Sequence, residues 1–378
     1  MEYIILYIIA LFPVFHFELR NEIDNKNRYL IFEWVAVVCL MGFRYHVGGD
    51  SFSYEHLYDK YPTITNISSF NFADDRYAWL WNLFCIICKT ISNEFWVQQL
   101  LVCIFVNVSF FRFFKLHTDR YFLAIFIYLF LYMFKYNTEV LRASMAVATF
   151  LFSYDYLISK KWIYYYILCL IAYGFHHEAI ILFALPLIHL IEKMKLNAIT
   201  FGGILAVVFV LTTSLSMFTF FQNVFAYDEG IVIKLEEHSS YLDNNISFNG
   251  FLYYMVTYYL PVCILLWFRR DIKDYQNPFL ILFLTTRLMS FRWSHITGRM
   301  EDFFIIILIA TFVNTISKID SIYKRNVILT SLIYFIVFTY INTTLHILPL
   351  VYPYHSIFYP IDEPDRELLF NLMLNNEI

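Results

Sequence analysis

The sequence predicts an all-α protein that crosses a membrane many times, and three observations support this fold class. Of its 378 residues, 60% are hydrophobic and only 15% are charged, whereas soluble domains carry about 25% charged residues. Aromatic residues make up 21% of the chain, and amphipathic rings concentrate at membrane–water interfaces. The apolar residues also form long runs separated by short basic gaps. A soluble globular domain is therefore excluded, and the chain has no broad basic face for nucleic acid.

Apolar runs of sufficient length predict twelve membrane-spanning helices. A hydrocarbon core of about 30 Å requires roughly 20 helical residues, or fewer where flanking groups snorkel or the bilayer thins. No repeat or low-complexity tract divides the chain, so we treat residues 1–378 as a single membrane domain. In chain order, the predicted spans cover residues 3–17, 29–44, 95–113, 121–138, 140–158, 162–175, 178–191, 198–216, 250–268, 277–291, 302–317 and 327–344.

The distribution of positive charge predicts the orientation of these spans. Lys and Arg cluster in alternate gaps, which the positive-inside rule assigns to the cytoplasm. Both termini then face outward, as do two long loops, 45–94 and 217–249, and the tail 345–378. The basic gaps are residues 20–28, 112–120, 160–161, 193–195, 269–273 and 318–325.

The alternation holds only if the apolar run 77–91 does not cross the membrane. Its 15 residues would extend about 22 Å as a helix. Asn82 and Lys89 are seven residues apart and share one helical face, which predicts a re-entrant or interfacial helix in the outer leaflet. Thirteen crossings is the alternative.

Arginines gather at the outer ends of different predicted spans. Arg44 ends the second span, Arg142 begins the fifth, and Arg287, Arg292 and Arg299 lie around the loop after the tenth. An arginine near hydrocarbon costs about 2.5–3.5 kcal/mol on insertion scales, so each requires a compensating partner. Because guanidinium groups bind phosphate oxygens bidentately, we expect this end of the protein to bind a lipid-linked pyrophosphate.

These arginines also have explanations that involve no ligand. Arg44, Arg292 and Arg299 could be interfacial residues that snorkel to the membrane surface. Arg142 and Arg287 lie deeper, and buried ion pairs are the alternative for them. The available partners are Glu139, Glu301 and Asp302.

A histidine pair is the best candidate for proton transfer. His176 and His177 lie in the segment GFHHE, at the middle of a 30-residue apolar run, 162–191, that is too long for one ordinary span. A bend at this point would place His176 outside, where an imidazole could take a proton from a sugar hydroxyl. A polar loop tip without chemistry is the alternative.

The turn VGGD begins three residues after Arg44, at Val47, and is a candidate anion site. Gly48 and Gly49 tolerate positive φ and let backbone N–H groups approach an anion. Asp50 and Tyr54 follow in the same segment.

At these residues the sequence resembles EpsG-like proteins and related Wzy-type polymerases of bacterial O-antigen, capsule and exopolysaccharide. FRYHVGGDSFSYEHLY resembles the R-Y-x-V-G-x-D-x-x-x-Y segment of that family, and EVLRASMA is similar to its N-x-x-R-Q-x-x-A element, with Glu139 at the Asn position. FHHEA resembles its F-H-x-S-A segment, with Glu178 at the Ser position. ITGRMEDFF and PYHSIF are similar to its late arginine and to its end.

The resemblance implies a glycosyltransferase at the outer face of the bacterial inner membrane, with its active site facing the periplasm or exterior. The growing glycan would move from undecaprenyl pyrophosphate onto the next lipid-linked repeat unit. Its implied roles are His176 as base, Arg142 and Arg299 on the pyrophosphate, and Arg44 on the second lipid-linked phosphate. The further expected substrate-binding residues are Tyr45, Gly48, Gly49, Asp50, Tyr54, Glu139, His177, Glu178, Arg287 and Arg292.

The expected partners are undecaprenyl-pyrophosphate-linked oligosaccharides as donor and acceptor, membrane lipids, a chain-length regulator and a flippase. No cofactor or metal is expected, because no segment resembles a D-x-D metal site or a nucleotide loop. An O-antigen ligase or another polyprenyl-phosphate glycosyltransferase is the main alternative. A membrane acyltransferase and a flippase or transporter are further alternatives.

Overall fold

A computed structural model describes residues 1–20, 24–72, 77–193, 252–253, 255–269, 275–290, 294–319, 321–364, 366 and 368. The regular elements in these ranges are helical, which agrees with the predicted fold class. The α-helices are α1 Glu2–Pro13, α2 Lys26–Gly42, α3 Ser51–Lys60, α4 Trp79–Ile91, α5 Trp96–His117, α6 Tyr121–Phe134, α7 Leu141–Ile158, α8 Trp162–Phe175, α9 Ile188–Lys193, α10 Leu260–Arg269, α11 Gln276–Ser290, α12 Ser294–Lys318 and α13 Ile322–Val351. Shorter π-helical segments are Val14–Leu19, Lys135–Glu139 and Met255–Tyr259, and 3-10 segments are Ile64–Ser69 and His177–Leu187.

Within the described ranges, five helices are long and apolar enough to cross a membrane. These are Glu2–Leu19, Trp96–His117, Tyr121–Glu139, Gly298–Lys318 and Ile322–Asn342. They support a polytopic membrane protein, while the count of twelve crossings stays a prediction. The predicted span 198–216 lies outside the described residues.

Three boundaries differ from the sequence prediction. The expected outer loop 45–94 contains α3 in addition to the expected helix near 77–91, which is α4, and α13 continues to Val351, past the expected end at residue 344. The expected span 178–191 is not one α-helix. It is a 3-10 segment containing Pro186, followed by α9. Proline lacks an N–H and its ring clashes with the preceding turn of an α-helix, which accounts for the interruption.

The described chain divides into two compact units, one formed by Met1–Ile180 with Ile336–Ile378 and the other by Ile181–Phe335. In the first unit α7 is the central helix and packs against α5 and α8. Its small residues Ala143, Ser144 and Ala146 are buried, as expected of positions that permit close approach of helices in a membrane. In the second unit α11 packs along α12.

A buried amide network fixes the corner between α6 and α7. The Asn107 side chain donates to Asn137 Oδ1 at 2.8 Å, and Tyr128 donates to Asn107 Oδ1 at 2.9 Å. Asn137 lies in the π-helical segment Lys135–Glu139 and also donates to the Met133 carbonyl at 2.8 Å. Breaking any one of these bonds would leave a buried polar group without a partner, which is costly in an apolar interior. The network therefore holds the start of α7 in one position.

The polar face predicted for the segment 77–91 is present in α4. Asn82 is fully buried and accepts a hydrogen bond from Tyr61 at 2.7 Å. Lys89 lies 3.5 Å from Asp59 and over the ring of Tyr58. The two residues therefore share one face of α4, as their spacing predicts. That face contacts residues at the end of α3. At 13 residues the helix would span about 20 Å, short of a hydrocarbon core of about 30 Å.

The predicted orientation of the spans can be tested by labelling single cysteines in the loops. Single cysteines at Lys60, Leu235 and Pro360 should react with an impermeant thiol reagent in intact cells. Cysteines at Lys160 and Arg270 should react only after permeabilisation, because the basic gaps are retained in the cytoplasm. The measurement requires a background without the native cysteines. Labelling at Lys60 only after permeabilisation would overturn the orientation.

Candidate functional site

The segment between α2 and α3 begins with a buried arginine. Arg44 is fully buried, and its Nη1 donates to the Met41 carbonyl. Its Nε and Nη2 atoms have no hydrogen-bond partner among the described residues. Arg44 is therefore enclosed by protein in this structure, and its expected contact with a lipid-linked phosphate stays a prediction.

The Gly-Gly turn binds an anion, but that anion belongs to the protein. Gly49 N donates to Glu139 Oε1 at 2.9 Å, and Thr138 Oγ1 donates to the same oxygen at 2.9 Å. Gly48 has φ +104°, and a Cβ there would lie 2.4 Å from Thr138 Cβ. The close approach explains the glycine, because a side chain has neither the space nor the backbone conformation. In this structure the Gly49 N–H is occupied by Glu139, and the binding of a ligand anion at this turn stays a prediction.

Arg142 lies in the first turn of α7, where several aromatic and charged groups surround it. Its guanidinium carbon lies 4.3 Å from the centre of the Tyr77 ring, and the side chain is hydrogen-bonded to Tyr54. Glu178 adds an attractive charge. The side chain is partly exposed, and its Nε is buried without a hydrogen-bond partner in the described part of the chain. This geometry leaves donor capacity for a further acceptor.

His176 lies at the bend that the sequence predicts. α8 ends at Phe175, the His176 N–H donates to the Ala172 carbonyl at 3.0 Å, and a new 3-10 segment starts at His177. The His176 ring is 5% exposed, and its Nδ1 pairs with the Glu178 carboxylate. With the ring proton on Nδ1, toward this carboxylate, Nε2 would be the atom that accepts a proton, as in other carboxylate–histidine pairs.

The other expected arginines belong to the second unit. Arg287 pairs with Glu301, which is 5% exposed, and Asp302 is also buried. These contacts favour the ion-pair interpretation of Arg287. Arg299 is partly exposed in the first part of α12, and Arg292 lies outside the described residues.

Within the first unit, Tyr54, Arg142, His176 and Glu178 form one connected group. Tyr77, on which Arg142 rests, was not expected from the sequence, where it marks only the start of an apolar run. Other expected residues of this unit have contacts of their own: Tyr45 donates to Asp362 at 2.8 Å, Asp50 is exposed at the start of α3, and His177 is exposed beside Tyr173.

Comparison with known protein families shows which family this chain belongs to. The EpsG family model matches residues 27–356. The chain belongs to the EpsG family. A search of curated proteins and a search of solved structures each found no match.

The EpsG match extends over α2 to the segment after α13 and includes Arg44, Arg142, His176 and Arg299. Membership in the EpsG family, together with the apolar helices, points to a membrane protein of the polysaccharide-polymerase type. Residues after 356, including Asp362 and Arg366, lie beyond the matched region.

Proposed function

We propose that this EpsG-family chain is a glycosyltransferase that polymerises undecaprenyl-pyrophosphate-linked repeat units at the outer face of the bacterial inner membrane. The observation that carries the proposal is the grouping of Arg142 with the His176–Glu178 pair. The Arg142 guanidinium suits a phosphate leaving group, and the His176–Glu178 pair suits the removal of a hydroxyl proton. Both are needed for glycosyl transfer from a lipid pyrophosphate.

Arg142 serves the leaving group in this scheme. The acceptor hydroxyl oxygen forms a bond to the anomeric carbon of the growing glycan, and the bond from that carbon to the pyrophosphate oxygen breaks. The pyrophosphate leaves with the bonding electrons, so negative charge develops on its oxygens. A guanidinium held by Tyr54 and Tyr77 can stabilise that charge with forked hydrogen bonds.

His176 serves the acceptor hydroxyl. Its Nε2 takes the hydroxyl proton as the new bond forms, and the ring becomes an imidazolium. Glu178 at Nδ1 stabilises this cation and fixes the orientation of the ring. Glu178 is thus proposed to position the base rather than to bind sugar.

Arg299 is proposed as a second pyrophosphate ligand, since it is partly exposed on α12. Arg44 and Glu139 are assigned to holding the turn that precedes α3, because one is fully buried and the other binds Gly49. Membrane lipids, a chain-length regulator and a flippase remain proposed partners.

Deletion of the gene in its host tests the proposal. Polymerisation predicts that a ladder of surface glycan on a gel collapses to a single repeat unit, and that the wild-type gene restores the ladder. A ligase would instead lose attached glycan while lipid-linked long chains accumulate. An unchanged ladder would contradict a polymerase role, and release of acetyl groups by the purified protein would indicate an acyltransferase.

A further inference from the structure

The C-terminal segment after α13 lies against the turn between α2 and α3. We call residues 352–363 the strap. Tyr45 N donates to the His355 carbonyl at 2.8 Å, and Ile357 N donates to the Phe43 carbonyl at 3.0 Å. Arg44 and Ser356 form an antiparallel bridge between the two segments. The strap is therefore paired to the turn through its backbone.

Side chains reinforce this pairing. His46 lies between two carboxylates, with Nε2 2.7 Å from Glu55 and Nδ1 3.3 Å from Asp362. Tyr45 donates to the same Asp362 carboxylate at 2.8 Å. His355 lies 2.8 Å from Glu363 within the strap itself. Asp362 thus joins the strap to two consecutive residues of the turn.

Arg366 is a buried residue that contacts both the strap and the turn. It is 2% exposed. Its Nη1 donates to the His46 carbonyl at 2.7 Å, and its Nη2 donates to the Pro353 carbonyl. Burial lowers the pKa of this guanidinium. A buried charge that contacts one carbonyl on each segment fixes their separation, because moving either segment leaves a charged donor without a partner.

The same turn contacts the candidate site on its other side. Gly48 N donates to the Leu350 carbonyl at 3.0 Å, and Gly49 N donates to Glu139, three residues before Arg142. Tyr54, one turn into α3, is hydrogen-bonded to Arg142. The strap is thus connected through the turn to Tyr54, which is hydrogen-bonded to Arg142, and to Glu139, which precedes Arg142 in the chain. His176 and Glu178 are placed by the end of α8 and the 3-10 segment that follows it.

We propose that Arg366 is a positioning residue for Arg142, acting through the strap and the turn. This inference rests on the proposed function. It concerns a part of the chain beyond residue 356, where the EpsG match ends. Loss of Arg366 should loosen the turn and displace Arg142, which weakens both the binding of the lipid-linked substrate and the departure of its pyrophosphate, while the proton-transfer step at His176 is retained.

The first test measures the contact without activity. Hydrogen exchange of purified Arg366→Ala should be faster than that of wild type in peptides covering residues 43–50 and 353–359, which contain the paired amides. A peptide from α5 should be unchanged and serves as the internal reference. Ile361→Ala is the matched control, since Ile361 is an exposed strap residue. Exchange equal to wild type in both peptides would overturn the inference.

The second test separates positioning from loss of folded protein. Lipid-linked repeat unit extracted from the deletion strain is the substrate. Arg366→Ala should raise KM about threefold to tenfold, the scale of one or two hydrogen bonds, and should lower kcat by a similar factor, because Arg142 contacts the pyrophosphate both in the bound substrate and as it leaves. Arg366→Lys, which can reach one carbonyl, should give an intermediate KM. A merely structural role would lower the apparent kcat at constant KM and would not distinguish Lys from Ala.

Failure of the inference and failure of the proposed function give different results. Wild-type protein that forms no polymer refutes the function and with it the proposed effect on KM. Wild-type protein that polymerises while Arg366→Ala keeps the wild-type KM refutes only the role of Arg366. A lower kcat at unchanged KM also overturns the positioning role.

Discussion

Replacement of Arg142 by lysine should abolish most polymerisation while the protein still inserts into the membrane. Lysine keeps the positive charge, but a single ammonium cannot reproduce a forked contact to phosphate. Lysine also removes the broad guanidinium contact with the Tyr77 ring, whose centre lies 4.3 Å from the guanidinium carbon. Removing such a contact in a site shielded from water costs about 2–4 kcal/mol of barrier, or roughly 30-fold to 1000-fold in rate.

The measurement is the glycan ladder in complemented deletion cells, with protein level determined in the same membranes. Arg112→Lys is the matched control, because Arg112 is a half-exposed arginine on α5 whose guanidinium lies over the Phe152 ring and 3.8 Å from Asp155. Normal ladders from Arg142→Lys would reject the phosphate role. A large fall in protein level with normal specific activity would show that Arg142 acts as a structural ion-pair residue.

Replacement of His176 by alanine should leave a weak residual polymerase that still binds its lipid substrate. General-base catalysis contributes about 10²-fold to 10⁴-fold, so kcat should fall within that range while KM changes little. Glu178→Gln should have a smaller effect in the same direction, because the amide can still hold the ring but cannot stabilise the imidazolium.

His177→Ala provides the neighbouring control for this prediction, since His177 is exposed and contacts the Tyr173 ring. It should retain most of the wild-type turnover. Wild-type turnover in His176→Ala would place the base elsewhere, with Asp50, Glu139 and Glu178 as the next candidates. Loss of substrate binding with unchanged kcat would make His176 a ligand-positioning residue.

Local patterns predicted the helices and several site positions. The run 162–191 exceeds one span, and the helix does end at Phe175 beside His176. Asn82 and Lys89, separated by two helical turns, do face the same segment of α3. The small residues after Arg142 are buried in α7. In each case helical periodicity or run length within one segment carries the information.

Long-range contacts account for what the sequence did not predict. Glu139 fills the turn at Gly49 from 90 residues away in sequence, so a glycine pair that suits an external anion gave no sign of its internal partner. The position of Arg44 at a span end indicated exposure, yet the strap and the surrounding helices bury it. Tyr77 and Arg366 lack any local motif and become recognisable only through the residues they contact.

Reconstitution tests the central claim most directly. The purified chain in lipid vesicles is given the lipid-linked repeat unit that accumulates in the deletion strain, and the products are resolved by gel. The proposed mechanism predicts a ladder of longer lipid-linked glycans with one undecaprenyl pyrophosphate released for each bond formed, lost in Arg142→Lys and retained in Arg112→Lys. A repeat unit that remains single, with no undecaprenyl pyrophosphate released by active wild-type preparations, would contradict it.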